Sequence, residues 1–171
     1  MRKVVLAAIA LSLVACDDNG SPNGPSDDPI VFTVQMNAQN EVPPIANAES
    51  NAAGTATITF DVPRDSSGNI TGGGNATFAA QMSGFPAGSV VQRAHIHPGA
   101  AGVNGTILVD TGLTPASPVN LTNGTGSFTM TAPIQQDQAA QILANPAGFY
   151  FNIHTALNPG GAIRGQLVRQ P

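Results

Sequence analysis

The chemistry-bearing residues of this chain are three histidines, and two of them share one short stretch, Val91-Gln92-Arg93-Ala94-His95-Ile96-His97. Read as a β-strand, that stretch sends alternate side chains to opposite faces. His95 and His97 then point the same way with Arg93 beside them, and Ala94 and Ile96 point towards a core. Same-face neighbours on a strand stand about 6.5–7 Å apart. An imidazole nitrogen holds a metal at about 2.0–2.1 Å, so two such rings can converge on one ion. The third histidine, His154, ends a second strand-like run, Phe149-Tyr150-Phe151-Asn152-Ile153-His154. Alternation there puts Phe149, Phe151 and Ile153 on an apolar face and Tyr150, Asn152 and His154 on a polar one. Three imidazoles with one open position suit copper or zinc. The competing expectation is structural. In it the rings hydrogen-bond loops across the polar face, for instance fixing the glycine-rich stretch 98–105 after His97.

Other polar residues fall on the same side. In the run 162–168, Ile163 and Leu167 point one way and Arg164 and Gln166 the other. Paired with 149–154, this strand completes a patch of Arg93, His95, His97, Tyr150, Asn152, His154 and Arg164. Glu41 or Asp110 is the candidate to add a carboxylate; Arg93 and Arg164 are expected to cover the sheet and pair with Glu or Asp, with an anion near the histidines as the alternative. Asp110-Thr111-Gly112 echoes an aspartic-protease loop, but that chemistry needs two carboxylates sharing a proton. A strand running into a turn is the expected role. There is no Gly-x-Ser-x-Gly elbow, phosphate-binding glycine loop or dinucleotide fingerprint.

The elements that must position these residues are short and apolar-alternating. Strands are expected over 30–37, 54–62, 75–82, 91–97, 106–110, 125–131, 149–154 and 162–168. Turn signals such as Asp65-Ser66-Ser67-Gly68-Asn69 and Asn123-Gly124 separate them. One helix is expected over 135–144, stopped by Asn145-Pro146. About eight strands at regular spacing predict an all-β, antiparallel Greek-key β-sandwich with one short helix. Only 9% of the residues are charged, against about a quarter in ordinary domains.

The start of the chain reads as an address. Arg2-Lys3 precedes a twelve-residue apolar run, 4–15. That is too short for a bilayer span of roughly 20 residues and right for a signal peptide. It ends Leu13-Val14-Ala15-Cys16, which resembles the bacterial lipoprotein cleavage box. Cys16, the only cysteine, is then the lipidation site, and lipid chains anchor the protein to the membrane. Asp17 resembles an inner-membrane retention signal of some bacteria, and inner versus outer membrane stays open. Residues 16–29 carry four aspartates and no apolar side chain besides Cys16 and proline, a solvated tether. The domain is expected over 30–171. Without residues 1–15 the charge balance is four Arg against ten acids, or −6, and no lysine remains. That argues against nucleic acid.

Several segments in order resemble the CHRD domain, a module first described in chordin, an animal extracellular growth-factor antagonist, and found singly in bacterial secreted proteins. They are Asn40-Glu41-Val42-Pro43-Pro44, Gly54-Thr55-Ala56, Ala94-His95-Ile96-His97 with 99–105, Asn152-Ile153-His154-Thr155, and Gly160-Gly161-Ala162-Ile163-Arg164-Gly165-Gln166-Leu167. The resemblance implies a β-sandwich in an extracytoplasmic setting and no settled biochemical activity. The leading expectation is a non-enzymatic binding or interaction module at the cell envelope, with an envelope or extracellular protein as partner. The alternative is a copper- or zinc-binding metalloprotein using His95, His97 and His154. Turnover is left open, leaning to none. A His-x-His strand in such a sandwich is also similar to the copper site of Cu/Zn superoxide dismutases. Those enzymes use four histidines on copper and more on zinc, and three in all do not reproduce that site.

Overall fold

The computed structural model describes residues 28–171. The segment 1–15 read as a signal peptide, Cys16 as the expected lipidation site and the expected tether up to residue 27 lie outside the described residues. Among the described residues no helix is long and apolar enough to cross a membrane.

Nine antiparallel strands form one continuous sheet. They are β1 (Ile30–Asn37), β2 (Ala53–Asp61), β3 (Gly74–Ser83), β4 (Val90–Pro98), β5 (Val109–Asp110), β6 (Val119–Asn120), β7 (Gly126–Ile134), β8 (Phe149–Thr155) and β9 (Ile163–Arg169). The order is β5-β4-β8-β9-β1-β2-β3-β7, with β6 on β4 beyond β5. Three strands separate β8 from β3 in that order, yet Phe151 of β8 stacks on Phe78 of β3 with centroids 5.6 Å apart. The sheet therefore doubles back on itself and nearly closes. The links β3 to β4 and β7 to β8 cross between its halves. This is the all-β, mostly antiparallel architecture with one short helix that the alternation predicts.

The reason is legible in β1 and β2. Phe32, Val34 and Met36 face Ala56, Ile58 and Phe60 inside, while Thr55 and Thr57 stay in solvent. Burying each large side chain contributes about 1.5–3 kcal/mol. The helix α1 (Gln136–Ala144) buries Ala139 and Ile142 and starts with a reciprocal cap, Gln135 N donating to Gln138 Oε1 at 2.9 Å.

Two boundaries differ from the sequence expectation. β6 lies inside the proline-rich stretch read as loop. The strand expected over 106–110 pairs only at Val109–Asp110. The preceding residues are drawn off the sheet because Gly105 O is held by His97 at 3.0 Å. Ladder contact resumes where Leu108 N donates to Ile96 O at 2.8 Å.

β8 is central, between β4 and β9, and all seven of its residues are buried. One face meets the core. Loops cover the other, so the polar patch is an interior and not an open surface.

Candidate metal centre

Strand register sets the site. Asp110, His95, Asn152, Arg164 and Asn37 lie directly opposite one another across β5, β4, β8, β9 and β1. A parallel row holds His97, Tyr150 and Gln166, and Arg93 faces His154. A register shift between Val91 and Arg93 switches the parity of β4. Val91 points to the core before it, and Ala94 and Ile96 after it. Bulges of this kind re-aim side chains beside functional sites. The residues singled out from alternation thus share one face, with Glu41 reaching it from a loop.

The three imidazoles sit together under that cover. His95 is 2%, His97 6% and His154 7% exposed, and one nitrogen from each ring lies within 4.8 Å of the others. Each outer nitrogen has an oxygen beside it. His154 Nδ1 donates to Pro159 O at 2.9 Å, and His97 Nδ1 donates to Gly105 O at 3.0 Å. Both carbonyls only accept, so both Nδ1 atoms carry hydrogen. His95 Nε2 lies 3.7 Å from Asp110 Oδ2, whose other oxygen accepts from Gly112 N at 2.8 Å. Metal-ligating histidines are oriented this way, outer nitrogen on a carbonyl or carboxylate and inner nitrogen free.

The inner nitrogens are short of positive charge. In its neutral form His154 offers a lone pair at Nε2, and Asn152 Oδ1, itself an acceptor, stands 3.0 Å away. His95 Nδ1, 3.0 Å from the same atom, is the one neighbour that donates to it. His97 Nε2 is buried and makes no hydrogen bond. A buried unpaired acceptor costs about 1–3 kcal/mol.

A proton is a poor remedy here. Burial pushes His95 down to about 4, helped by His154 and opposed by Asp110. Burial also lowers His97 and His154, against the hydrogen bonds to Gly105 O and Pro159 O. The rings are neutral at pH 7, with inward lone pairs at His97 Nε2 and His154 Nε2; moving the His95 proton from Nδ1 to Nε2, beside Asp110 Oδ2, supplies the third, and neutral imidazole is the form that binds metal.

Two buried acids and one arginine brace the loops. Arg164 is 2% exposed; its Nε donates to Asn40 O at 2.6 Å and its Nη1 to Asn104 Oδ1 at 2.7 Å. Its guanidinium lies 4.6 Å from the Tyr150 ring, which stacks on His97 at 4.9 Å. Gly105 N donates to Tyr150 Oη at 3.2 Å. Glu41 Oε2 is 4.0 Å from Arg164 Nε, and burial raises Glu41 to about 7 with Arg164 opposing. Among the described residues no hydrogen bond or ion pair joins Glu41 to a histidine, so Asp110 is the carboxylate at the cluster. Glu49, not singled out from sequence, is buried and accepts from Thr155 Oγ1 and Asn158 Nδ2, each at 2.6 Å. It pins the turn that supplies Pro159 O.

Fold and site together define a class: an antiparallel β-domain with an internal three-histidine cluster clamped by loops. The chain belongs to the CHRD domain family, whose profile matches residues 32–167 and so takes in all three histidines. No curated protein and no solved structure matches it. Membership supports a binding or interaction module.

Proposed function

We propose that this chain is a cell-envelope lipoprotein, anchored through Cys16, whose CHRD domain binds a transition-metal ion, copper or zinc, with His95, His97 and His154. The observation that carries the reading is the trio of inward nitrogens, one of them, His97 Nε2, buried without a partner. Imidazole suits both ions, and no thiolate is at hand to favour a softer one. The lipoprotein part rests on the residues around Cys16. The domain's task in this reading is to hold or hand on the ion outside the cytoplasm.

The test is elemental analysis of the protein purified without a histidine tag, beside a His95→Ala/His154→Ala double variant. One copper or zinc per chain, lost in the variant, is expected. No metal after both ions are offered would overturn the reading.

One observation favours a second role, contact with an envelope or extracellular protein. Of the five large exposed hydrophobics among the described residues, Val42, Val103, Ile107 and Leu157 lie on the loops over the histidine face. A photo-crosslinker at Leu157 tests it in cells; an adduct yield at Leu157 no higher than at a control position on β2 would count against it.

A further inference from the structure

We infer that the cavity between the loops 41–47 and 157–161 is a second binding site, for a small apolar molecule whose ammonium group donates to Glu41. The inference stands apart from the metal reading, since among the described residues no hydrogen bond or ion pair joins Glu41 to a ring.

The cavity measures 580 Å³, within the range of about 300–1,000 Å³ that small-molecule sites occupy. Seven of its twelve lining residues carry apolar side chains, Val42, Ile45 and Leu157 the largest of them. Val42 is 37% and Leu157 53% exposed, so apolar wall stands open to a ligand. The walls are pre-formed. Pro43, Pro44 and Pro159 fix their own φ. Asn47 Nδ2 donates to Asn158 Oδ1 at 2.8 Å and ties one loop to the other.

Glu41 gives the cavity its chemistry. It is the one titratable residue of the lining, and its Oε1 is buried and makes no hydrogen bond. The carboxylate lies against Gly161, also in the lining, where a Cβ would stand 2.8 Å from both oxygens. Gly161 has φ +134°, a backbone that other residues rarely adopt, and its missing side chain leaves room over the carboxylate. Arg164 does not fill that need. Its Nε approaches the other oxygen only to 4.0 Å, and its Nε and Nη1 are engaged by Asn40 O and Asn104 Oδ1. Burial raises Glu41 to about 7, and an ammonium beside it favours the ionised form. An unpaired acidic acceptor in an apolar wall, with no basic residue in the lining, is complementary to an ammonium on an apolar body.

The test follows the amide NMR spectrum of the metal-free full chain at pH 8 during titration with benzylamine and cyclohexylamine to millimolar levels. Saturable shifts are expected at Ile45, Leu157, Gly160 and Gly161. Benzyl alcohol, the uncharged counterpart of benzylamine, should bind about tenfold or more weakly, as fits loss of a charge-assisted contact. Glu41→Gln should lose the preference for the amine and still take the alcohol. No saturable shift with either amine would overturn the inference. So would equal binding of amine and alcohol, a preference that survives in Glu41→Gln, or shifts confined to other parts of the domain. Shifts at the same four residues that grow with protein concentration alone would assign the cavity to a second copy of the chain and overturn it too. None of these outcomes touches the three-histidine reading.

Discussion

His95 Nδ1 lies 3.0 Å from His154 Nε2, a contact that joins β4 to β8 across 59 positions of sequence. Two imidazole nitrogens on one tetrahedral ion stand about 3.3 Å apart, given bonds of about 2.0–2.1 Å. This edge of a coordination polyhedron is therefore preset by strand register, and loading the ion asks for transfer of the His95 Nδ1 proton to Nε2 and an inward shift of His97. Replacing His154 or His95 with Ala should lower zinc and copper affinity by more than the roughly 10–100-fold that loss of an outer partner brings. Competition titration against a chromophoric chelator reads this, and wild-type affinity in His154→Ala would contradict it.

Gly105 is as necessary to His97 as the ring's own backbone. A Cβ at Gly105 would stand 1.6 Å from Pro98 O, so the loop must move and take the Gly105 carbonyl off His97 Nδ1. Gly105→Ala should lose about 10–100-fold in metal affinity while keeping the far-ultraviolet dichroism of the sheet. Unchanged affinity would show that His97 does not need this tether.

Arg164 links the loops 38–52 and 99–108 to the Tyr150–His97 stack. Arg164→Met leaves the buried Glu41 without its cation and should destabilise the metal-free domain by about 3–5 kcal/mol in urea. Arg164→Lys keeps the charge but not the fork that reaches Asn40 O and Asn104 Oδ1, and should lose less. A Met variant as stable as wild type would remove Arg164 from this role.

Much of this site is legible in the order of residues alone. Alternation puts His95, His97, Tyr150, Asn152, His154 and Arg164 on one face, because a strand has a fixed period and both histidine strands carry unambiguous apolar partners, Ile96 and Ile153. Alternation says nothing of what lies above a face. The loops 38–52, 99–108 and 156–162 close over it through backbone carbonyls, Gly105 O and Pro159 O, which every residue type supplies. Glu49 escapes sequence reasoning for the same reason: its partners Thr155 and Asn158 are more than a hundred positions away. Its one local signal is a lone acid in a stretch of Ala and Asn. Glu41 does stand among the polar neighbours as expected, but its partner is Arg164 and not a ring.

Acid should destabilise the metal-free protein through the histidines and base through Glu41. His95 falls from 6.5 to about 4 on folding, so the unfolded chain binds more protons between those values. Its contribution is complete above about 6.5 and shrinks as pH falls towards 4; His97 and His154 act in the same direction. Glu41 rises from 4.5 to about 7, so its contribution is complete below 4.5 and is lost as pH rises through 7. Glu41→Gln removes that loss. Urea unfolding at pH 5 and pH 8 should show the variant gaining on wild type at pH 8. An equal difference at both pH values would contradict a buried, proton-holding Glu41.

The most direct measurement is anomalous diffraction from crystals of the protein equilibrated with micromolar zinc or copper. The expected result is a single peak bonded to His95 Nδ1, His97 Nε2 and His154 Nε2 at about 2.0–2.1 Å. Loaded crystals with no peak between these rings would contradict the three-histidine site, whatever else the domain binds.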